Sequence, residues 1–180
     1  MTPDLAALAA DIDRTCRLRG EFTLRSGQVA TEYFDKYLFE ADPVLLRRVA
    51  EAMVPLVPAG TDVLGGLELG GIPIVTVMSS LTGLPALFVR KQAKTYGTCR
   101  LAEGGEVDGR RVTLVEDIIT TGGAVCDATT ALRSRGATVE AVVCAIDRSS
   151  ADSSRLPGLG VRTLSVFTRA DLDAAATSLP

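Results

Sequence analysis

Apolar residues recur along this chain with two different periods, and the way the periods alternate predicts the architecture. Leu5, Leu8, Ala9, Ile12 and Cys16 fall on one face of a helix that Thr2-Pro3 starts and Gly20 ends. The segments Glu21 to Leu24 and Ala30 to Phe39 then read as strands around Ser26-Gly27-Gln28, a hairpin expected to stand apart from the rest as a flap. Asp42-Pro43 opens a second helix, with Val44, Leu45, Val49, Met53 and Leu56 inward, closed by Val57-Pro58-Ala59-Gly60. From there strand and helix alternate. Strand Asp62 to Leu64 leads through a glycine-rich loop, Gly65-Gly66-Leu67-Glu68-Leu69-Gly70-Gly71, into helix Ile72 to Leu81 and strand Pro85 to Arg90. Strand Val112 to Val115 is followed by a helix face of Ala124, Val125, Ala128, Ala131 and Leu132, then by strands Val139 to Ile146 and Val161 to Phe167 and a short terminal helix, Arg169 to Ser178. Alternation at this spacing predicts an α/β fold, a mostly parallel sheet flanked by helices with ligands at the carboxyl ends of its strands. Residues between Arg90 and Gly109 fit neither period, and roughly 15 structureless residues exceed the usual loop length, which points to a lid at about 91–109 or to disorder.

Composition narrows the reading. A chain of 180 residues suits one full core, so residues 1–180 are expected to form one domain, with hood elements over 1–40 and the α/β core over 41–180. Hydrophobic residues make up 47% while aromatics are only 4%, so Ala, Val, Leu and Ile must build the core, as in buried parallel strands. Net charge is −3 with no long basic run, which speaks against a nucleic-acid surface. With no apolar run of about 18 residues and no charged-then-apolar leader, the chain is expected to be cytoplasmic and to have no membrane partner. Cys16, Cys99, Cys126 and Cys144 are scattered without CxxC spacing, so reduced thiols are expected, with Cys126 and Cys144 as small core residues. Histidine is absent, which removes Ser-His-Asp and Cys-His catalysis and the commonest metal ligand.

Candidate chemistry centres on Arg111 to Ala124, RVTLVEDIITTGGA. An apolar run reaches two adjacent carboxylates, Glu116 and Asp117, then the turn Ile118-Ile119-Thr120-Thr121-Gly122-Gly123 before a helix. Free amides at a helix start, the helix dipole and glycines that let the main chain approach make such a turn a phosphate cradle. Carboxylates would repel the phosphate itself, so Glu116 and Asp117 are read as acceptors for sugar hydroxyls or metal-bound water beside it. The glycine loop has neither GxxxxGK[ST] nor GxGxxG spacing; its glycines either let a helix pack close to the sheet or let amides reach a diphosphate. Arg90, Lys91 and Lys94 open the lid at a strand end, as a solvated face or as partners for an anion. Arg148 ends another strand beside Asp147, either to salt-bridge that residue or to meet a ligand. Tyr33 and Phe34 either pack the hairpin or stack on a flat ring.

These stretches together resemble one family. VEDIITTGG is similar to the phosphoribosyl diphosphate (PRPP) motif of type I phosphoribosyltransferases, RKQAKTYGT looks like the lid of their orotate-using members, and AIDR resembles the strand end that supplies an arginine to orotate. FTLRSG with the aromatic pair, and GGIP in the glycine loop, extend the likeness over residues 20–150. The lid discriminates, since purine salvage enzymes share the PRPP motif.

The resemblance implies a type I phosphoribosyltransferase-like fold with a helix-plus-hairpin hood, and an orotate phosphoribosyltransferase activity serving pyrimidine (UMP) synthesis. It implies that Thr120, Thr121, Gly122, Gly123 and Ala124, with Ile118 and Ile119 leading in, hold the 5′-phosphate. Glu116 and Asp117 would bind the ribose hydroxyls, and Arg90, Lys91, Lys94 and Tyr96 the diphosphate. Lys94, Lys91 and Asp117 would be the catalytic groups, with Lys91 acting across a homodimer interface. Arg148 would pair with the orotate carboxylate, aided by Thr120, Tyr33, Phe34 and Arg25. Mg²⁺ would be bound through PRPP and water, with no direct protein ligand. Tyr96 stands where the family lid has histidine, and Arg25 where many members have lysine. A purine-type transferase and a non-enzymatic PRPP sensor are the alternatives.

Overall fold

The structure is a computed structural model, and it describes residues 3–23, 27–91, 101–150 and 155–177. Pro3–Cys16 form helix α1, whose buried face is Leu8, Ala9, Ile12 and Cys16. The helix stops four residues before Gly20, and Arg17–Thr23 is already strand β1. It pairs antiparallel with β2, Val29–Phe34, in a two-stranded sheet of its own. The second strand also ends earlier than the apolar pattern predicts. Asp35 turns the chain, its carboxylate and carbonyl accepting from the Tyr37 and Leu38 amides at 3.1 and 3.3 Å, so Tyr37–Ala41 become helix α2 and bury Phe39.

Asp42 caps helix α3, Pro43–Met53, by accepting from the Val44 and Leu45 amides at 2.8 and 3.0 Å. Leu45, Val49 and Met53 face inward as expected, but Val44 sits in the exposed first turn. Strand β3, Val63–Leu67, runs through Gly65 and Gly66 before helix α4, Gly71–Thr82, and strand β4, Ala86–Val89. Ala102–Glu103 form a short strand, β5, antiparallel to β4, inside the stretch where no element is predicted. Then come β6, Arg111–Ile119, helix α5, Gly123–Arg133, β7, Thr138–Asp147, β8, Arg162–Thr168, and helix α6, Arg169–Thr177. Along α5 the inward residues are Val125, Ala128, Thr129 and Leu132, while Ala124 is exposed at the helix start.

The central sheet has the order β5-β4-β3-β6-β7-β8, parallel except for β5. Side chains alternate across it. Leu64, Val115, Val143 and Ala145 join α1, α3, α4 and α6 in one core, and Leu67, Leu114, Val142 and Cys144 join α5 in the other. From β3 the chain winds outward to β4, and from β6 outward to β7, so the winding reverses between β3 and β6. A crevice at the carboxyl ends of such a pair is where open α/β sheets bind ligands.

Candidate functional site

Two loops meet at that crevice. One follows β3, with a cis peptide between Glu68 and Leu69, and the other follows β6. Gly66 and Gly71 serve close packing, since a Cβ on Gly66 would press on Val75 and lie 2.6 Å from the Gly71 carbonyl, and one on Gly71 would strike the Val115 carbonyl. The backbone here thus fits the packing reading of the glycines.

The turn after β6 has the form expected of a cradle. Gly122 adopts φ +72° directly before α5, and no side chain caps that helix. A substituent at Gly122 would also meet Leu156 Cγ at 2.8 Å. A cavity of about 100 Å³ opens on this turn, lined by Glu116, Ile118, Ile119 and residues 120–125, with Thr120, Thr121 and Ala124 exposed. Beside it lies a larger cavity of about 940 Å³ between the ends of β3 and β4 and the start of α5, and Arg90, Lys91 and Arg155 bring positive charge to its wall. The Lys91 amide donates to Glu68 Oε1 at 3.0 Å, which ties the start of the lid to the loop after β3. Lys94 and Tyr96 lie outside the described residues, as does Arg25.

The acids are not placed as the pattern suggests. Glu116 and Asp117 do not follow β6 but belong to it, and both are buried, Asp117 completely. Lys36, from the turn after β2, reaches Asp117 Oδ2 at 2.5 Å, and Glu40 is buried next to them with Oε1 lacking a hydrogen-bond partner. Asp117 Oδ1 accepts from the Ile118 amide at 2.5 Å, and Glu116 Oε1 from the Asp117 amide at 3.0 Å.

Three carboxyls around one ammonium cannot all ionise out of water. Burial works against charge on Asp117, but hydrogen bonds from Glu116, Glu40 and Lys36 outweigh it and hold this carboxyl below its usual value. Burial and the Asp117 carboxylate push Glu40 up to about 8, and push Glu116 well above the usual range. For Lys36 burial opposes the charge, and Asp117 overcomes it, so the ammonium is held more firmly than usual. Negative charge in the cluster is therefore favoured on Asp117, which faces the Lys36 ammonium, while Glu40 and Glu116 are shifted toward their neutral forms.

A consequence for stability follows. The unfolded chain releases the Glu40 proton above about 4.5, whereas the folded chain keeps it to about 8, so this group makes stability fall as pH rises through that window and leaves it level outside. Melting curves of Glu40→Gln against the parent are expected to show the variant gaining on the parent between pH 5 and 8. A difference that does not change with pH would contradict the assignment.

Arg148 begins where β7 ends. Its amide donates to the Ile119 carbonyl at 2.8 Å, which fixes it beside the cradle. Its neighbour Asp147 accepts from the Ser149 amide at 2.8 Å. The Arg148 guanidinium lies over the Phe34 ring, 5.9 Å from its centroid. Arg17 and Arg169 line the same small recess, Arg17 being held by Asp13, Glu32 and Asp173 and Arg169 by Asp173. Desolvation, then the charge of Arg169, push Arg148 below its usual value. Of the aromatic pair only Phe34 faces this recess. Tyr33 is exposed, its ring 5.6 Å from that of Phe22.

The structure thus brings together the cradle, Glu116, Asp117, Arg148, Phe34 and the start of the lid. Sequence reasoning missed Lys36, read as part of the strand Ala30 to Phe39, Glu40, just past that strand's end, and Arg17 and Arg169. The available signal for the first two was their spacing of four, which puts both on one side of a helical turn.

Comparison with known proteins agrees with this geometry. Residues 43–157 match the family model described as "Phosphoribosyl transferase domain". The chain is 70% identical over 175 residues to the orotate phosphoribosyltransferase of a Nocardioides species, covering 97% of each chain. It is similar in structure to Mycobacterium tuberculosis orotate phosphoribosyltransferase in complex with inorganic phosphate, with a TM-score of 0.83, 32% identity and coverage of 96% of this chain and 99% of that one. To the same enzyme in complex with PRPP the TM-score is 0.79, again at 32% identity, over 95% and 99% of the two chains.

Proposed function

The chain belongs to the phosphoribosyl transferase domain family, among its orotate phosphoribosyltransferases, and on that premise we propose that it transfers the phosphoribosyl group of PRPP to orotate. The products are orotidine 5′-monophosphate and diphosphate, a step toward UMP. The observation that carries the reading is Arg148, whose amide donates to the Ile119 carbonyl at the head of the cradle turn while its guanidinium lies over the Phe34 ring. In this reading a planar anionic base lies against Arg148 and Phe34, and the 5′-phosphate of PRPP lies on residues 120–124.

Breaking the bond between ribose C1 and diphosphate builds positive charge on the sugar and negative charge on the leaving group. The chain's contribution is to orient both partners, to neutralise the leaving group with the cations at the lid, and to keep water from the cationic sugar. Orotate is already an anion, so no strong base is needed. Mg²⁺, when bound, would supply further neutralisation of the diphosphate. Asp117, buried and with Oδ2 ion-paired to Lys36 and Oδ1 accepting from the Ile118 amide, suits a cation carried by PRPP and water rather than one ligated directly. In this reading Glu116 and Asp117 border the ribose, Arg90, Lys91, Lys94 and Tyr96 meet the diphosphate, and Lys91 acts across a homodimer interface. No helix among the described residues is long and apolar enough to cross a membrane, and we assign the enzyme to the cytoplasm.

The test is loss of orotate absorbance on mixing with PRPP and Mg²⁺. Turnover of hypoxanthine, guanine or adenine in place of orotate would instead assign a purine transferase. Retention on nucleic acid without turnover would favour a PRPP-sensing regulator. Lys94→Ala is expected to lower kcat by roughly tenfold to a hundredfold while PRPP affinity changes little, because a contact to the departing diphosphate strengthens in the transition state. Single-turnover rates and PRPP titration check this, and equal loss of both would contradict it.

A further inference from the structure

Around Asp117 two buried or half-buried side chains, Lys36 and Glu40, stand outside the expected ligand contacts. Lys36 is not part of the sheet or of the cradle. It comes from the hood, two residues after Phe34, and crosses to the core to pair with a completely buried carboxylate on β6 at 2.5 Å. The segment carrying it is fixed at both sides, by the Asp35 amide donating to the Cys16 carbonyl at 2.8 Å and by the Asp35 carboxylate accepting from the Tyr37 amide. Room for the pair exists because residue 70 is glycine. A Cβ there would fall on Asp117 Oδ2 and lie 2.6 Å from Glu40 Oε1.

We propose that Lys36 is a positioning residue for Asp117, a strut from the hood that sets the carboxylate of the ribose site and ties that site to the base recess containing Phe34. The inference rests on the proposed transferase reading for what Asp117 does, while the strut itself rests on the ion pair. Without the ammonium, Asp117 would be a lone charge in a dry site and would either take up a proton or turn toward water. Either change alters its side chain beside the cradle. Phe34, at the end of β2, and Lys36 lie two residues apart, so one short segment carries both an aromatic face of the Arg148 recess and the partner of the buried acid.

The experiment uses Lys36→Met, Lys36→Arg, Asp117→Asn and the double variant Lys36→Met/Asp117→Asn in the full chain, each checked by melting. Steady-state rates are read with orotate and PRPP varied separately, and PRPP binding with Mg²⁺ by calorimetry. Lys36→Met is expected to lose on the order of 30-fold to 100-fold in kcat/KM for PRPP, with the KM for orotate little changed. Lys36→Arg is expected to restore most of that loss, and the double variant to be no worse than Asp117→Asn alone. Parent-like PRPP kinetics in a folded Lys36→Met, or a double variant whose loss is the product of the single losses, would overturn the proposal. Should Lys36→Met not fold, the comparison of the double variant with Asp117→Asn decides alone, since both of its charged partners are gone. A parent chain that binds PRPP but ignores orotate would refute the substrate reading and leave the strut to be judged from PRPP binding.

Discussion

Arg148→Gln is expected to raise the KM for orotate by about a hundredfold, the loss of two hydrogen bonds to a charged group, while PRPP affinity stays close to the parent value. The residue begins at the end of β7, its backbone bonded to Ile119 and its guanidinium over Phe34. Glutamine keeps the length and a donor but loses the charge and the planar fork that matches a carboxylate. The cost should fall on the base alone, because among the described residues Arg148 meets the proposed phosphate turn through its main-chain amide. Arg17 and Arg169, already engaged with acids, are too committed to replace it. Kinetics with each substrate varied, and a PRPP titration, separate the two affinities. A uniform loss for both substrates would mean that Arg148 supports the cradle rather than the base.

The contrast between Arg148 and Lys36 shows what could be read from the sequence. Arg148 was legible because its position depends on local rules: a buried apolar run must be a strand, and in a parallel sheet the residue at its carboxyl end faces the crevice. The cradle was legible for the same reason, since Thr-Thr-Gly-Gly before a helical face punctuates the chain without help from elsewhere. Lys36 and Glu40 were hidden because their partner, Asp117, is far along the chain. Tyr37, Leu38 and Phe39 read as a strand in isolation, and only the turn at Asp35 and the burial of Phe39 make them helical. The acids of β6 misled in the same way. Two adjacent carboxyls end a strand when they must stay in water, but here Asp117 is paired with a lysine and burial pushes Glu116 toward its neutral form, so β6 continues through them to Ile119. Val44 is a smaller case, an apolar residue in helical phase that falls in the capped first turn and so stays exposed.

Gly70→Ala should have the largest effect on fold and activity together. Nothing about its dihedrals demands glycine, since φ is −67°. The constraint is space: the added methyl would occupy the position of Asp117 Oδ2 and crowd Glu40. Overpacking of a well-filled site costs about 1–3 kcal/mol. Displacing Asp117 from Lys36 adds the cost of breaking a buried pair, roughly 3–5 kcal/mol when complete. At about 2–4 °C per kcal/mol for a chain of this size, a fall in Tm of about 10 °C or more is expected. Turnover should fall by about a hundredfold or more as Asp117 leaves its place beside the cradle. Glu40→Ala in the same chain offers the discriminating partner, because it opens volume next to residue 70 without removing the Lys36–Asp117 pair. If crowding is the cause, Gly70→Ala/Glu40→Ala should recover part of both Tm and kcat relative to Gly70→Ala. Additive losses would show instead that the loop after β3 requires glycine for a reason unconnected with the buried acids.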